Sequence, residues 1–245
     1  MDPIAIRTSI INVHWYGIMM ALAFLASLIS CIYLGKKIGR DAGFMSDLIT
    51  WIMVSSIFGA RLAYVLANFS QFEAAPITML YLWKGGLVYY GGFAGAAIGI
   101  ILFARSRGEN LMRLYDIVCV ALPLSHALGR VGCYMNGCCF GKPTHWSSMA
   151  VHPVQLYEAA LNVLLFFGLL WYFPRKKRDG SVVVAYMLVY ASIRFCIEFL
   201  RGDERIMLGG LTLAQVTSIV MFAGGIAGWM WLINRERRNF SSSRG

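Results

Sequence analysis

Charged residues are scarce in this sequence, and the scarcity limits what the protein can be. They make up 14% of its 245 residues, whereas hydrophobic residues make up 58%. A soluble domain carries about 25% charged and about 45–50% apolar residues. A soluble enzyme is therefore a poor description of this chain, and its length fits about seven membrane spans joined by short loops.

Three further features that mark particular protein classes are missing. No two cysteines form the CxxC pair that a membrane thiol oxidoreductase would need. No internal repeat with matched, interrupted helices is visible, and this argues against the alternative of a transporter for an anionic solute. The first residues, MDPIAIRTSIINV, have neither a basic start nor a small-residue cleavage site, so we expect no removable signal peptide.

Long apolar runs take up most of the chain. Each approaches the roughly 20 residues that a membrane-spanning helix needs. The predicted spans are 14–35, 46–68, 87–104, 114–131, 154–173, 182–201 and 211–233. We therefore predict an all-α integral membrane protein in which residues 1–245 form a single domain of transmembrane helices, seven in number.

Basic residues are divided unevenly between the loops. One alternating set of loops is rich in them: Lys36, Lys37, Arg40, Arg105, Arg107, Arg113, Arg175, Lys176, Lys177, Arg178, Arg235, Arg237, Arg238 and Arg244. The other set has few: Arg7, Lys84, Lys142, Arg201 and Arg205. Basic loops stay in the cytoplasm, so we expect the N-terminus outside and the C-terminus inside. The net charge of +10 then reflects topology and attraction to anionic lipids, and no nucleic-acid partner is expected.

The remaining arginines, Arg61, Arg130 and Arg194, lie within or at the edge of predicted spans. An arginine at the bilayer centre costs at least about 2.5–3.5 kcal/mol on insertion scales, so each needs a reason to be there. In the predicted topology all three lie in the outer half of the membrane. They mark a candidate functional layer.

Carboxylates fall in the same predicted layer but are too few to neutralise it. Glu198 follows Arg194 by four residues and should lie one turn away on the same helix face. Glu158 lies near the start of the fifth span, and Arg201 adds another cation at the rim. Guanidinium groups match phosphate oxygens in a bidentate manner, so the surplus predicts a site for an anionic phospholipid headgroup. Further polar residues of the layer are Tyr16, Tyr89, Tyr90, Asn136 and Gln155.

Seven stretches of the chain, in order, resemble the prolipoprotein diacylglyceryl transferase family. They are HWYGIMMA, FGARLAYVLANF, WKGGLVYYGGFAGA, GRVGCYMNGCCFGKPT, HPVQLYEA, RFCIEFLRGDER and LTLAQVTSI. The resemblance implies transfer of the diacylglyceryl group of phosphatidylglycerol to the lipobox cysteine of prolipoproteins, with release of glycerol phosphate. It also implies a multi-pass protein of the bacterial plasma membrane whose site faces the outer leaflet. A paralogue that binds phosphatidylglycerol but serves another acceptor is the alternative within this family.

The resemblance implies particular roles for particular residues. Arg130 matches the family's essential arginine, and Arg194 and Glu198 match its R-x-x-x-E motif; with Tyr90 they are the candidate catalytic residues. The candidate substrate-binding residues are Tyr16, Asn136 and Gly141, which match family positions, together with Arg61, Gln155, Glu158 and Arg201 of the charged layer. No cofactor is expected.

This chain departs from the family pattern at three positions. Tyr90 stands where the family commonly has a histidine that is a favoured general base. Cys133 replaces an asparagine and Cys138 replaces a glutamate. The part of the site that binds the lipid headgroup is therefore kept, while the part that handles protons is altered.

The cysteines leave several interpretations open. Cys31, Cys119 and Cys196 fall within spans and are expected to be packing residues. For the group Cys133, Cys138 and Cys139 we considered packing, a disulfide, a metal site and a catalytic thiol. Because the histidines His126, His145 and His152 are not at ligand spacing, no metal is expected.

Overall fold

The computed structural model describes residues 4–7, 12–73, 75–144, 151–205 and 207–242. Within these ranges it contains seven α-helices. They are α1 (Trp15–Lys37), α2 (Ala42–Ala67), α3 (Tyr89–Arg107), α4 (Leu111–Met135), α5 (Val154–Tyr172), α6 (Ser181–Glu198) and α7 (Leu213–Ser242). Each coincides with one predicted span to within a few residues at most ends. Helix α7 runs well past its apolar part because the following NRERR segment is rich in good helix formers.

Six of these helices are long and apolar enough to cross a membrane. Helix α3 is not among them, because its tyrosines, glycines and terminal arginines lower its mean hydropathy. The helical class of the prediction is therefore confirmed. The number of spans and the orientation of the termini stay predictions.

Short antiparallel strand pairs accompany the helices, and the sequence interpretation did not include them. Strand β1 (Ile4–Arg7) pairs with β2 (Asn12–His14), just before α1. Strand β3 (Met207–Leu208) pairs with β4 (Leu211–Thr212), just before α7. Both are hairpins that lead directly into a helix.

The helices form two compact units. One, the contiguous unit, comprises residues 32–115. The other, the divided unit, comprises residues 1–31 together with 116–245. Each is described by itself below, and the prediction of a single domain stays a prediction.

In the contiguous unit, α2 and α3 pack with almost no space between their backbones. A Cβ atom added to Gly95 would lie 2.2 Å from the carbonyl oxygen of Ser55. A Cβ atom on Gly91 would lie 2.5 Å from the carbonyl oxygen of Gly59. Small residues spaced by four allow this close approach, as the GGFAGAAIG pattern predicts.

Arg61 is buried in the contiguous unit and binds backbone carbonyl groups. Its Nε donates to Met79 O at 2.7 Å, its Nη2 to Thr78 O at 2.9 Å, and its Nη1 to the carbonyl oxygens of Gly85 and Gly86 at 2.7 and 3.1 Å. The side chain holds the connection between α2 and α3 in place. Four of its five N–H donors are used in these bonds, and its predicted role in substrate binding stays a prediction.

The divided unit contains a buried carboxylate that anchors the start of α6. Asp116 is fully buried on α4 and accepts hydrogen bonds from the backbone N–H groups of Gly180, Val182 and Val183 at 2.8, 3.1 and 3.0 Å. It also pairs with Lys176. The first N–H groups of a helix have no partner within that helix. The carboxylate of Asp116 on α4 accepts from them and so caps the N-terminus of α6.

Candidate active site

Part-buried arginines and buried glutamates meet in the divided unit at the end of α4, the start of α5 and the end of α6. Glu158, on the first turns of α5, is 2% exposed and lies between two arginines. Its Oε2 is 3.0 Å from Arg130 Nε and 3.6 Å from Arg194 Nη1. One carboxylate thereby brings together the arginines of two different helices.

Glu198, in the last turn of α6, is the second buried carboxylate. Its Oε2 is 3.0 Å from Arg194 Nη2, so the predicted contact across one helical turn is confirmed. Its Oε1 is 3.2 Å from Arg205 Nη1, and Arg201 Nε lies 3.9 Å from its Oε2. Three guanidinium groups therefore surround a single carboxylate.

A third acidic residue lies at the rim of this cluster. Asp203 accepts from Arg201 Nε at 2.9 Å and from its Nη2 as well, which is a bidentate pair. The hydrogen bonds from Arg201 lower the pKa of the Asp203 carboxyl. Burial opposes the charge on Arg201, but its bonds to Asp203 outweigh that effect and raise its pKa. Both groups stay ionised, and this pair is complete by itself.

The remainder of the cluster is not complete. Nη1 of Arg194 is buried and donates no hydrogen bond among the described residues, and Oε2 of Glu198 accepts none in good geometry. A buried polar atom without a partner costs about 1–3 kcal/mol, and more when it is charged. Together the ion pairs join the four arginines Arg130, Arg194, Arg201 and Arg205 to the three carboxylates Glu158, Glu198 and Asp203. An unpaired donor in a cluster with surplus positive charge is suited to an anionic ligand.

The segment after Arg130 ends α4 in a Schellman turn. The N–H of Cys138 donates to Cys133 O at 3.1 Å, and that of Gly137 donates to Tyr134 O at 3.1 Å. Gly137 takes the left-handed conformation with φ 70° that this turn requires. The turn brings the residue two positions past the helix cap close to the residue one turn before the helix end. In this chain both of those residues, Cys133 and Cys138, are cysteines.

Cys139 follows in an unusual conformation that completes a group of three thiols. Its φ is 64°, and it is the single non-glycine residue with positive φ among the described ranges. Left-handed backbone costs roughly 1–2 kcal/mol for a residue with a Cβ atom. The sulfur atoms of Cys133, Cys138 and Cys139 all lie within 4.8 Å of one another, and those of Cys138 and Cys139 are 3.7 Å apart. The hydrogen bond from Cys133, aided by the charges of Arg201 and Arg130, lowers the pKa of Cys139 to about 5.

Backbone hydrogen bonds fix the rest of this segment against the ends of α5 and α6. Gly141 N donates to His152 O at 3.0 Å, Lys142 N to Leu200 O at 2.9 Å, and Gly202 N to Phe140 O at 3.1 Å. A Cβ atom on Gly141 would lie 2.6 Å from His152 O, so only glycine fits there without a shift. Gly141 thus contributes close backbone packing. Its predicted role in substrate binding stays a prediction.

Three family comparisons bear on this arrangement. A family model described as prolipoprotein diacylglyceryl transferase matches residues 3–231. The phosphatidylglycerol–prolipoprotein diacylglyceryl transferase of Bordetella avium is 32% identical over 256 residues, covering 97% of each chain. That of Methylobacillus flagellatus is 33% identical over 263 residues, covering 96% of this chain and 97% of the relative.

The chain belongs to the prolipoprotein diacylglyceryl transferase family. A cyanobacterial relative, from Synechococcus elongatus, is similar to the same degree, at 32% identity over 257 residues and 96% of this chain. The similarity to the family therefore extends over nearly the whole sequence.

The structure brings most of the candidate residues of the family site together. Arg130, Arg194, Glu158, Glu198 and Arg201 form the charged cluster described above. Gln155 is buried beside the thiol segment; its Nε2 donates to Cys138 O at 2.7 Å, and its Oε1 has no hydrogen bond within the described ranges.

Two further candidates border the thiols. Tyr16 is half-exposed on α1, packs on Gly132 of α4, and interacts electrostatically with Cys133 and Arg130. Asn136 caps the end of α4 and is exposed beside Cys138. Both lie where a ligand could reach them from solvent or lipid.

Tyr90 lies in the contiguous unit. It occupies the second position of α3, is about half exposed, and packs edge to face on Tyr89 at 5.6 Å. Its catalytic role stays a prediction. Exposure of its ring is compatible with contact to a substrate or to lipid.

Arg205 and Asp203 were missed as members of the charged cluster. The sequence interpretation placed Arg205 among loop charges, although Nη1 donates to Glu198 O at 2.7 Å and Nη2 to Arg201 O at 2.9 Å. The dense charge of the RGDER segment directly after an apolar span was the signal that could have revealed them.

The cysteines outside the thiol group differ in their burial, and the histidines lie apart from that group. Cys31 and Cys119 are buried, as expected, whereas Cys196 is exposed on α6, which corrects its assignment to packing. It lies on the face of α6 that lines a groove. His126 is half-buried and packs against Tyr190, and its buried Nδ1 has no hydrogen bond within the described ranges. His145 lies outside the described residues.

Proposed function

We propose that this chain transfers the diacylglyceryl group of phosphatidylglycerol to the lipobox cysteine thiol of prolipoproteins and releases glycerol phosphate. The carrying observation is the arginine cluster, which has more guanidinium groups than carboxylates and a buried Nη1 on Arg194 that donates no hydrogen bond among the described residues. Relatives of the same length carry the name of this activity. The reaction is the first step of bacterial lipoprotein modification.

The chemistry of the reaction explains why arginines are needed. A thiolate attacks the C3 carbon of the lipid's glycerol backbone, and the electron pair of the broken C–O bond stays on the phosphate oxygen. Glycerol phosphate leaves with one more negative charge than the phosphodiester had. Fixed cations in a dry site stabilise this developing charge without reorganising at the moment of reaction.

Arg130 and Arg194 are the residues that bind the phosphodiester in this proposal. Arg130 pairs with Glu158 through its Nε. Its terminal N–H groups are the proposed donors to the phosphate. Arg194 offers the unbonded Nη1. Glu158 and Glu198 hold the two guanidinium groups in place, and Arg201 adds positive charge at the rim.

A groove beside the cluster is suited to an acyl chain. It runs along α5 and α6 and is lined almost wholly by apolar atoms. The lining residues are Leu161, Ser192, Ile193, Cys196, Ile197 and Leu200. Ile197 and Leu200 neighbour Glu198 and Arg201 in sequence, so a lipid with its headgroup at the arginines has an apolar surface next to it.

Tyr16, Asn136 and Gln155 are the further polar groups of the proposed site. Gln155 Oε1 accepts from the glycerol hydroxyls of the headgroup, since it is buried and has no hydrogen-bond partner among the described residues. Asn136 and Tyr16 border the entrance for the acceptor peptide. For Tyr90, in the contiguous unit, the proposed role is to donate a hydrogen bond from its phenol.

For the membrane arrangement we infer seven spans in a single domain, an external N-terminus and a cytoplasmic C-terminus. The protein resides in the bacterial plasma membrane with its site toward the outer leaflet, among membrane lipids and without a nucleic-acid partner. Reporters fused after Lys142 and after Gly245 test this topology. We expect an external signal at Lys142 and a cytoplasmic one at the C-terminus; a cytoplasmic signal at Lys142 would overturn it.

The function is tested by transfer of labelled diacylglyceryl from phosphatidylglycerol to a lipobox peptide. The matched control peptide has serine in place of the acceptor cysteine and should gain no label. Complementation of a bacterium depleted of its own transferase gives the same answer in cells. A protein that binds phosphatidylglycerol but labels no lipobox peptide would instead be a paralogue with another acceptor.

A further inference from the structure

The sulfur atoms of three cysteines lie close together beside the arginine cluster, and a disulfide could join only two of them. Any disulfide among Cys133, Cys138 and Cys139 would leave one thiol over. All three sulfurs, however, lie within 4.8 Å of one another, so a single ion can reach every one. Among the described residues, no histidine, aspartate or glutamate joins the group.

The spacing of the sulfurs fits a metal of known bond length. A Zn–S bond of about 2.3 Å in tetrahedral geometry puts two sulfurs about 3.8 Å apart. Sγ of Cys138 and Sγ of Cys139 are 3.7 Å apart before any ion is bound. Soft thiolate ligands select Zn²⁺ and Cu⁺ over harder cations.

The backbone is shaped to produce this spacing. The Schellman turn at the end of α4 sets Cys138 against Cys133. The positive φ of Cys139 then turns its side chain back toward them, at a conformational cost that glycine would not incur. Strain of this kind persists where the surrounding structure enforces it, and it concentrates at functional sites.

The surrounding charge suits a metal thiolate. Three thiolates and one divalent cation carry a net charge of −1. Arg130 and Arg201 both act electrostatically on Cys139 and offset that charge. Mutual repulsion of three thiolates, the main obstacle to such a cluster, is thereby reduced.

We propose that Cys133, Cys138 and Cys139 form a site for a soft divalent cation such as Zn²⁺, and that its open fourth position takes the thiol of the acceptor cysteine. The second part rests on the proposed transfer function. Catalytic zinc sites have three protein ligands and one exchangeable position, and a thiol bound there is deprotonated. The site lies next to the arginines that hold the leaving phosphate.

The step balances without a protein base. The acceptor thiol gives its proton to solvent as it binds the metal. The metal-bound sulfur then forms the C–S bond to the glycerol C3 carbon, while the C–O bond to phosphate breaks and its electron pair leaves with glycerol phosphate. This accounts for the histidine and the glutamate of the family pattern being replaced by Tyr90 and Cys138 in the same chain.

Titration of the reduced full-length protein in detergent with Co²⁺ tests the site without reference to activity. We expect a sulfur-to-cobalt charge-transfer band that saturates at about one equivalent, because three thiolates bind one ion. Cys133→Ser and Cys139→Ser should weaken binding at least about tenfold, because loss even of a hydrogen-bond partner of a ligand costs about 10–100-fold in metal affinity. The matched control is Cys196→Ser, which removes an exposed cysteine of α6 that does not belong to the thiol group, and this variant should bind Co²⁺ normally.

A glycine variant separates lost ligation from disturbed folding. Cys139→Gly removes the sulfur yet suits φ 64° better than cysteine does, so this variant should fold at least as well as the wild type and still lose the band. A wild-type protein without the band, or a Cys139→Gly variant that keeps it, would overturn the proposal.

The acceptor is tested by adding a lipobox peptide to the Co²⁺-loaded protein. Its thiol should add a fourth sulfur and strengthen the charge-transfer band, whereas the cysteine-to-serine peptide should not. An unchanged spectrum with the cysteine peptide would overturn the proposal that the open position takes the acceptor thiol. If the spectrum responds but no diacylglyceryl is transferred with Zn²⁺ and phosphatidylglycerol present, the site stands and the proposed function fails.

Discussion

Two buried charge clusters lie near opposite ends of α4, and they differ in whether their polar groups are satisfied. Asp116 and Arg130 are separated by 14 residues, roughly 21 Å along the helix. Asp116 receives three backbone N–H groups and a lysine, so its acceptor capacity is used within the protein. The arginine cluster keeps a buried, unbonded N–H on Arg194. A complete cluster stabilises a fold, whereas an incomplete one with surplus charge is prepared for a ligand.

Removing the charge of Asp116 should produce the largest effect and should be confined to stability. Asp116→Asn leaves Lys176 without its buried partner and weakens the anchor of α6. Breaking such a pair costs about 3–5 kcal/mol, so the thermal midpoint in detergent should fall. Asp179→Asn, which removes the more exposed partner of Lys176, is the control and should change little. If Asp116→Asn also lowered transfer per folded molecule, the Asp116 cluster could not be purely structural.

Arg130→Lys should show the opposite pattern, with lost activity and retained stability. A lysine keeps the charge but cannot provide a bidentate fork for a phosphodiester. Loss of one preorganised charge-stabilising group lowers turnover about 10²–10³-fold. Transfer to a lipobox peptide is measured per folded molecule, with Arg175→Lys as the control on an exposed arginine. Wild-type turnover in Arg130→Lys would contradict the phosphate-binding role.

Gly141→Ala sharpens the comparison because Gly141 belongs to the backbone that supports the arginine cluster. The added methyl would overlap His152 O and Val154 Cγ2, and overpacking of this kind costs about 1–3 kcal/mol. Both abundance and transfer should fall together. Gly129→Ala is the matched control, since a Cβ atom there meets nothing within 4 Å. Normal abundance of the Gly141 variant would show that the segment can shift freely.

Tyr90→Phe should have the smallest effect and tests whether the contiguous unit contributes to chemistry. One neutral hydrogen bond is worth about 0.5–1.5 kcal/mol, so turnover should fall by about threefold to tenfold without a change in stability. Tyr89→Phe serves as the neighbouring control. A drop as large as that of Arg130→Lys would make the phenol the principal proton-handling group.

The helices could be predicted because each coincides with an apolar run. Contacts between residues of the same helix could then be predicted from the helical period. The Arg194–Glu198 contact follows from helical spacing alone, and the glycine repeat of α3 indicated close packing. Arg61 could not be assigned in this way, since four carbonyl groups far along the chain occupy it. The cysteines Cys133, Cys138 and Cys139 could be grouped from the sequence, but the close approach of all three sulfurs could not be predicted. It depends on the backbone conformation of Gly137 and Cys139, which spacing along the sequence does not reveal.

The division of the chain into a contiguous and a divided unit has a consequence for biogenesis. The part of α1 that belongs to the divided unit is synthesised first, but its partner Gly132 on α4 follows more than 100 residues later. Domains tend to fold as they emerge from the ribosome, so α2 and α3 can pack together before the α4 residues that contact α1 have been synthesised. Arg130, Arg194 and Glu158 cannot neutralise one another until α6 has been made, which makes the active site one of the last parts of the protein to assemble.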